Sequence, residues 1–469
     1  MNAERLVNAI DPIAVTEILR RHLPSSVGDS ITVRDRGIKL THSHKAQLCV
    51  CYYLHKDNGL TDPHIPPILY GKIFDNDPTD RYEIRPLSLL SFPHSADNQP
   101  YYLSELGMFV WPFPSDPTLS QLPQLCEGEH VRNFIPYSDP TQQQTWQWRE
   151  DLPITIHPVS YHPENRCTIR YEFGSGTDTN SPPRLTMYGK TFNDDRGRHL
   201  YSRLKTLWKW SQETPDSFLI PRPCRYDEIV KTVWEEGLTG QALIDVITPN
   251  NLPDLMSSVA KCLASFHRSE LALPPGAETK LLFEEFKKKT LDMTQAFPNV
   301  RDALTSVLSD MEPLPVGLVA RAKAPVHGSF RIGELLSCGS RIGTCDLDNC
   351  CLGDPLQDLA YFFADLHFCG IPPALRDQLA VAFCQAYQIH IDIEVPLSHI
   401  TWHYQLRLLR KAYWIYQKQS VKPGTERRIL KVLQLANNAS VFIDEILHAN
   451  PTHGNILARK MCPPVDRVS

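Results

Sequence analysis

The sequence predicts an α+β chain, β-rich in its first half and helical in its second. Three observations carry that expectation. Proline clusters such as PHIPPILY, VWPFPSDPTLSQLPQL and IPRPC gather in the first half, and proline is confined to loops, turns and strand ends. Two segments of that half share one β-hairpin pattern. From about Pro253 onward, apolar residues recur at helical spacing.

Composition narrows the class. The chain has 469 residues, enough for two or three packed units. A net charge of -5 provides no global basic field for nucleic acid or an anionic membrane. No stretch approaches the ~18 consecutive apolar residues of a membrane span. The opening MNAERLVNAIDPIAVTEILRRHL mixes charges with apolar residues at helical spacing, so it reads as a first helix rather than a secretory leader. The 13 cysteines are scattered, and Cys49/Cys51 and Cys350/Cys351 stand too close for zinc-type spacing. They read as reduced, mostly buried thiols of a cytoplasmic protein.

The repeat comes next. Residues 42–77 read HSHKAQLCVCYYLHKDNGLTDPHIPPILYGKIFDND, and residues 160–195 read SYHPENRCTIRYEFGSGTDTNSPPRLTMYGKTFNDD. Each has a β-rich run, a Gly/Asp/Pro-rich turn and a second run ending Tyr-Gly-Lys-x-Phe. Tyr52 precedes Lys72 by 20 positions and Tyr171 precedes Lys190 by 19. Type, order and spacing agree together, which favours duplication over two unrelated hairpins that share a tripeptide. Neither KDNGLT nor GSGTDTN, with Gly174 and Gly176, forms a phosphate-cradling glycine loop.

After the second hairpin, RGRHLYSRLKTLWKWSQ puts Leu200, Leu204, Leu207 and Trp208 along one helical face. Two short strands follow in FLIPRPCRYDEIVKTVWEEGLTGQAL. LSELGMFVWPFPSDPTLSQLPQL echoes that strand-and-turn layout behind the first hairpin. In the second half, Leu255, Val259, Leu263 and Phe266 mark one helix. Trp402, Leu406, Leu409, Tyr413 and Tyr416 mark another, an aromatic stripe that reads as core packing.

Between these helices lies APVHGSFRIGELLSCGSRIGTCDLDNCCLGDPLQDLAYFFADL. It holds His327-Gly328-Ser329, then Glu334, Asp346-Leu347-Asp348, Gly353-Asp354-Pro355 and Asp358-Leu359. Taken alone, Asp346 and Asp348 are a turn with solvated carboxylates. The whole series resembles the active-site region of the aminoglycoside phosphotransferase and choline kinase families, which share the protein kinase-like fold. The likeness in order extends over roughly residues 150 to 450. It implies a bilobal fold, a β-rich N-terminal lobe and a helical C-terminal lobe, preceded here by an extra N-lobe-like β unit. The expected divisions are 1–125 for the extra unit, 126–245 for the N-lobe and 246–455 for the C-lobe, with the catalytic-loop region at 325–360.

The resemblance also implies roles. Phosphoryl transfer needs a metal to bridge the phosphates, a cation on the inner phosphates and a group to orient the attacking hydroxyl. Asp346 is similar to the metal-binding aspartate and Lys190 to the lysine that grips the nucleotide, so ATP and Mg2+ are the implied cofactors. His327 shapes the loop, and Asp354 and Asp358 cap and brace the following helix. Ser329 stands where the family keeps its catalytic aspartate, and Glu334 where it keeps a metal-binding asparagine. A serine hydroxyl is a poor base and no partnered histidine is evident for it, whereas Glu334 still offers oxygen to a hard cation. The helix after Lys190 is basic and lacks the glutamate that would pair with that lysine. The expected function is therefore an ATP-dependent phosphotransferase acting on an alcohol of a small molecule, with catalysis impaired or altered. The alternative is a pseudokinase, a nucleotide-sensing module that binds a protein partner. Lys72 has no metal-binding motif of its own and is expected to be vestigial.

Overall fold

The structure is a computed structural model. It describes residues 3–23, 31–41, 46–56, 68–74, 82, 84–89, 99–135, 153–174, 185–319, 323–391, 395–419 and 422–449. Residues 57–61 and 175–180 of the two hairpin turns, Gly176 among them, and the final stretch from His453 lie outside the described residues. The expected α+β class is the one the chain adopts. It divides into two compact units: residues 1–202 with 222–237, and 203–221 with 238–469.

The first unit contains the same sheet twice. One sheet has strands β1 (Ile31–Thr41), β2 (Ala46–Lys56), β3 (Ile68–Phe74), β4 (Tyr101–Leu103) and β5 (Met108–Pro112), in the order β1-β2-β3-β5-β4. The other has β6 (Ile154–His162), β7 (Arg166–Phe173), β8 (Leu185–Phe192), β9 (Pro223–Asp227) and β10 (Thr232–Glu236), in the order β6-β7-β8-β10-β9. Lys72 pairs with Cys49 and Phe109, and Lys190 with Thr168 and Val233, so the two lysines hold equivalent positions. Tyr52 sits opposite Leu69 and Tyr171 opposite Met187, each partner three residues before its lysine. The one-residue difference in Tyr-to-Lys spacing therefore falls in the hairpin connection and leaves the paired register untouched.

The shared residues have shared physical roles. A Cβ on Gly71 would lie 2.3 Å from the Met108 sulfur, and one on Gly189 would lie 3.2 Å from the rings of Trp234 and Tyr171. Each glycine thus admits a large side chain from a neighbouring strand. Tyr52 donates its hydroxyl to the carbonyl of Ala9 at 2.8 Å, in helix Ala3–Ile10. Tyr171 donates to Leu125 at 3.0 Å, at the end of helix Leu122–Leu125. Both fully buried phenols thereby satisfy their polar atom on a helix that precedes their sheet.

The first sheet is covered on both faces. Val50, Tyr52 and Leu54 pack with the N-terminal helices, while Cys49, Cys51, Tyr70 and Trp111 pack with residues of the second sheet such as Ile169, Tyr171 and Trp234. Double coverage explains why β5 is buried at every residue instead of alternating. Lys72 is drawn into this core by Glu164, whose Oε1 lies 2.5 Å from its Nζ. Fully buried Asp116 braces the same turn, accepting from the Tyr161 hydroxyl at 2.7 Å and from the amides of Glu164, Thr118 and Leu119.

The second unit is mainly helical. Its helices include Leu252–His267, Leu356–Asp365, Pro373–His390 and Leu397–Gln419. Val259, Leu263 and Phe266 are buried on the first of these, and Trp402, Leu406 and Leu409 on the last, as the apolar periodicity predicts. Short strands frame the informative stretch. β11 (Gln241–Ala242), β13 (Leu335–Cys338) and β14 (Arg341–Thr344) form one sheet, and β12 (Ala324–Val326) pairs with β15 (Cys351–Gly353). No helix among the described residues is long and apolar enough to cross a membrane. The described cysteines are free, and burial pushes the thiols of Cys262 and Cys384 up to about 12, which leaves them unreactive.

Candidate functional site

The loop that opens with His327 leaves the end of β12 and closes on the short helix Ile332–Glu334 before β13. Gly328 has φ +79, and a Cβ there would stand 2.6 Å from the carbonyl oxygen of Asn349. Only glycine meets both demands. Asp358, on the buried face of helix Leu356–Asp365, holds the loop from below. Its carboxylate accepts from the amides of His327 at 2.7 Å and Gly328 at 2.8 Å, and it lies 3.1 Å from His267 Nε2. His267 in turn reaches the Tyr387 hydroxyl at 2.7 Å. Asp354 caps that helix, accepting from the Leu356 amide at 2.9 Å, and lies 3.1 Å from His403 Nε2. These are the capping and bracing roles the sequence suggested for the two aspartates.

His327 is buried, and its Nε2 faces the Cys345 carbonyl at 3.3 Å and Thr344 Oγ1 at 3.4 Å. Burial holds its pKa below the ordinary histidine value, so the ring is neutral at pH 7. With Nε2 donating to the carbonyl, Nδ1 is left to accept from Ser329 Oγ at 3.4 Å. Asn349 Nδ2 approaches the same hydroxyl at 3.5 Å. The sequence offered no histidine partner for Ser329; the structure supplies a long contact. It orients the hydroxyl without the short bond that activates a nucleophile or makes a base.

Glu334 and Asp346 converge on Arg331. The Arg331 guanidinium bonds the Glu334 carboxylate and stands 3.6 Å from Asp346 Oδ2. Burial, with the Asp346 charge adding to it, pushes the Glu334 carboxyl up to about 9 despite the arginine. Asp346 follows β14 in the left-handed region, φ 58 and ψ 48, which a non-glycine residue seldom occupies and which marks positions whose side-chain direction matters. Glu334 Oε2 is buried with no hydrogen-bond partner. An orphaned carboxylate oxygen beside a second carboxylate suits a hard cation. Among the described residues no group of three or more His, Cys, Asp or Glu side chains could hold a metal. Two carboxylates match Mg2+, which takes one or two from protein and the rest from water and phosphate.

Lys190, in the first unit, is buried, and its Nζ lies 3.1 Å from Glu235 Oε1. Lys190 sits opposite Val233 and Glu235 opposite Tyr188, so the two are diagonal neighbours on adjacent strands. The carboxylate that pairs with Lys190 thus stands on β10. Glu235, Arg331 and Asn349 escaped the sequence reading. Glu235 was visible as one of two acidic residues that end a strand, but its pairing needs the register.

Residues 215–392 match the model of a family described as the phosphotransferase enzyme family. The resemblance drawn from the motifs is borne out over that stretch. No curated protein matches the chain. Several solved structures are similar. Aminoglycoside phosphotransferase APH(2″)-Ib bound to ADP has a TM-score of 0.43 at 14% identity, covering 66% of this chain and 97% of that one. Spectinomycin phosphotransferase APH(9)-Ia with ADP and spectinomycin gives 0.44 at 11%, covering 62% and 93%. The macrolide 2′-phosphotransferase MphH from Brachybacterium faecium gives 0.40 at 12%, covering 60% and 91%.

Proposed function

We propose, from the phosphotransferase-family pattern of residues 215–392, that this chain is an ATP-dependent phosphotransferase relative acting on a small-molecule hydroxyl, with transfer slowed by Ser329. The observation that carries the reading is the convergence of Glu334 and Asp346 beside the His327–Ser329 loop. In this reading Lys190, held by Glu235, grips the nucleotide phosphates. Glu334 and Asp346 would hold Mg2+, which would supply positive charge against the nucleotide phosphates. Ser329 faces the acceptor hydroxyl but takes no proton from it. A positioned base contributes ~100- to 10,000-fold, and its absence sets the expected deficit. Largely dissociative transfer asks little of a base, so slow turnover survives. The free cysteines fit the cytoplasmic setting that this reading assumes.

A second reading is favoured by Arg331. Its guanidinium already engages both carboxyl groups. If it keeps them, the chain senses nucleotide without transferring phosphate and serves a protein partner. Thermal stability with and without ATP and Mg2+, followed by turnover against a panel of alcohols and amino-sugars, separates the readings. Stabilisation with slow transfer supports the first, and stabilisation with none the second. No stabilisation by ATP overturns both.

A further inference from the structure

Helix Leu397–Gln419 sets Arg407 and Lys411 one turn apart on one face. The Arg407 guanidinium lies 3.5 Å from the centre of the Tyr361 ring. Lys411 Nζ lies 4.6 Å from the Phe368 ring centre and 4.8 Å from that of Trp414. Tyr361 and Asp365 stand one turn apart on helix Leu356–Asp365. Arg331, two residues after Ser329, lies within electrostatic reach of Tyr361 and Asp365 and adds to the positive field on Arg407 and Lys411. Three cations from two segments of chain therefore gather beside the His327–Glu334 loop.

Two of the three, Arg407 and Lys411, have no ion-pair partner among the described residues. Arg331 is engaged by Glu334 and faces Asp346. Among the described residues, the partners of Arg407 and Lys411 are aromatic faces and no carboxylate stands at ion-pair distance from either. Asp365 is the carboxylate common to the field of all three, and Arg410 on the same helix adds a fourth positive charge to that felt by Arg407. Burial, reinforced by Arg407, pulls Lys411 down to about 8. Two buried cations that share one carboxylate, Asp365, and pair with none are costly, and mutual repulsion adds to that cost.

We propose that Arg407 and Lys411 form a seat for an anionic group, a carboxylate or a phosphate, on the molecule this chain acts on. The inference rests on the phosphotransferase reading and names its acceptor class: an alcohol that also bears an anion. The planar guanidinium of Arg407 suits two oxygens of such a group at once, and Lys411 supplies a point charge beside it. The rings of Tyr361 and Phe368 keep the seat partly dry, which strengthens the attraction. A cationic acceptor would be repelled by the same cluster.

The test uses the full chain without nucleotide and four three-carbon probes: glycerol 3-phosphate, glycerate, glycerol and 3-aminopropane-1,2-diol. Binding is followed by calorimetric titration at constant ionic strength. The two anionic probes should bind and the neutral and cationic ones should not. Arg407→Gln and Lys411→Gln should each weaken the anionic probes by about tenfold to a hundredfold, the range expected for losing one charge-assisted bond. Arg407→Lys should retain part of the binding. No preference for the anionic probes overturns the proposal, as does a preference that survives both glutamine variants. Should Arg407→Gln not fold, Lys411→Gln decides alone. Anion binding with no stabilisation by ATP would sink the phosphotransferase reading and leave the seat standing; the converse would sink the seat only.

Discussion

Lys190 Nζ lies 3.1 Å from Oε1 of Glu235, a diagonal neighbour on the adjacent strand of the second sheet. The equivalent lysine of the first sheet, Lys72, is paired instead with Glu164 in a tight turn between β6 and β7. Duplicated strands thus carry duplicated lysines with different partners, and their substitutions should have different consequences.

Lys190→Ala should abolish most of the stabilisation by ATP and Mg2+ and, by removing the lysine from the buried Glu235 carboxylate, cost the fold about 3 kcal/mol or more. Lys72→Ala should cost the fold a similar amount by removing the lysine from Glu164, but leave the stabilisation by ATP and Mg2+ in place. Thermal denaturation of both variants, with and without nucleotide, checks the contrast. Equal loss of ATP stabilisation would remove the functional distinction between the two lysines.

Glu235→Gln keeps the shape but removes the charge that holds Lys190. Nucleotide affinity should fall by about tenfold, the size expected for one charge-assisted hydrogen bond. Titration with ATP at fixed Mg2+ reads it, and an unchanged dissociation constant would mean that Glu235 plays no part in positioning the lysine.

Glu334 should make stability depend on pH. Its folded pKa of about 9 lies above the ordinary glutamate value of about 4.3, so between these values the folded chain holds a proton that the unfolded chain has released. Stability from this group is present below about 4.3 and is lost as pH climbs towards 9. Glu334→Gln should flatten that part of the profile and raise stability relative to the parent most at the alkaline end. Urea denaturation at several pH values from 5 to 9 tests it, and parallel profiles would show that Glu334 is ionised in the folded chain.

The split between legible and hidden features follows physical range. Tyr52, Tyr171 and the two lysines reveal the duplication because hairpin register is a local property, and β-rich runs, turn chemistry and Tyr-Gly-Lys endings are written contiguously. The loop from His327 to Asp358 was legible for the same reason: spacing along one stretch places its residues just after β12, just after β14 and on the following helix. Glu235 was not, because its partner is set by cross-strand pairing over 45 positions. Nor was Arg331, since its contact with Asp346 depends on how β14 returns beside the loop. Arg407 and Lys411 were hidden within a helix whose aromatic stripe dominated the reading. Lys72 was expected to be vestigial, and no sequence signal showed that Glu164 would draw it into the core.

Asp358→Ala should be among the most damaging substitutions in the second unit. It removes the acceptor for the His327 and Gly328 amides and the partner of His267. Leaving several buried donors unsatisfied should cost about 3 kcal/mol or more. Denaturant titration measures it; a loss below about 1 kcal/mol would mean that water replaces the carboxylate and that the loop does not depend on it.

The central claim concerns Ser329, and phosphate transfer measured in the parent and in Ser329→Asp tests it most directly. ATP hydrolysis to water serves as the readout, since it needs no knowledge of the acceptor. The parent should be slow or silent, Ser329→Ala should match it, and Ser329→Asp should raise turnover, most clearly when Glu334→Asn is made in the same chain. A parent that turns over at an ordinary kinase rate and loses that activity in Ser329→Ala would contradict the account, because serine would then carry the chemistry that this reading assigns to a missing aspartate.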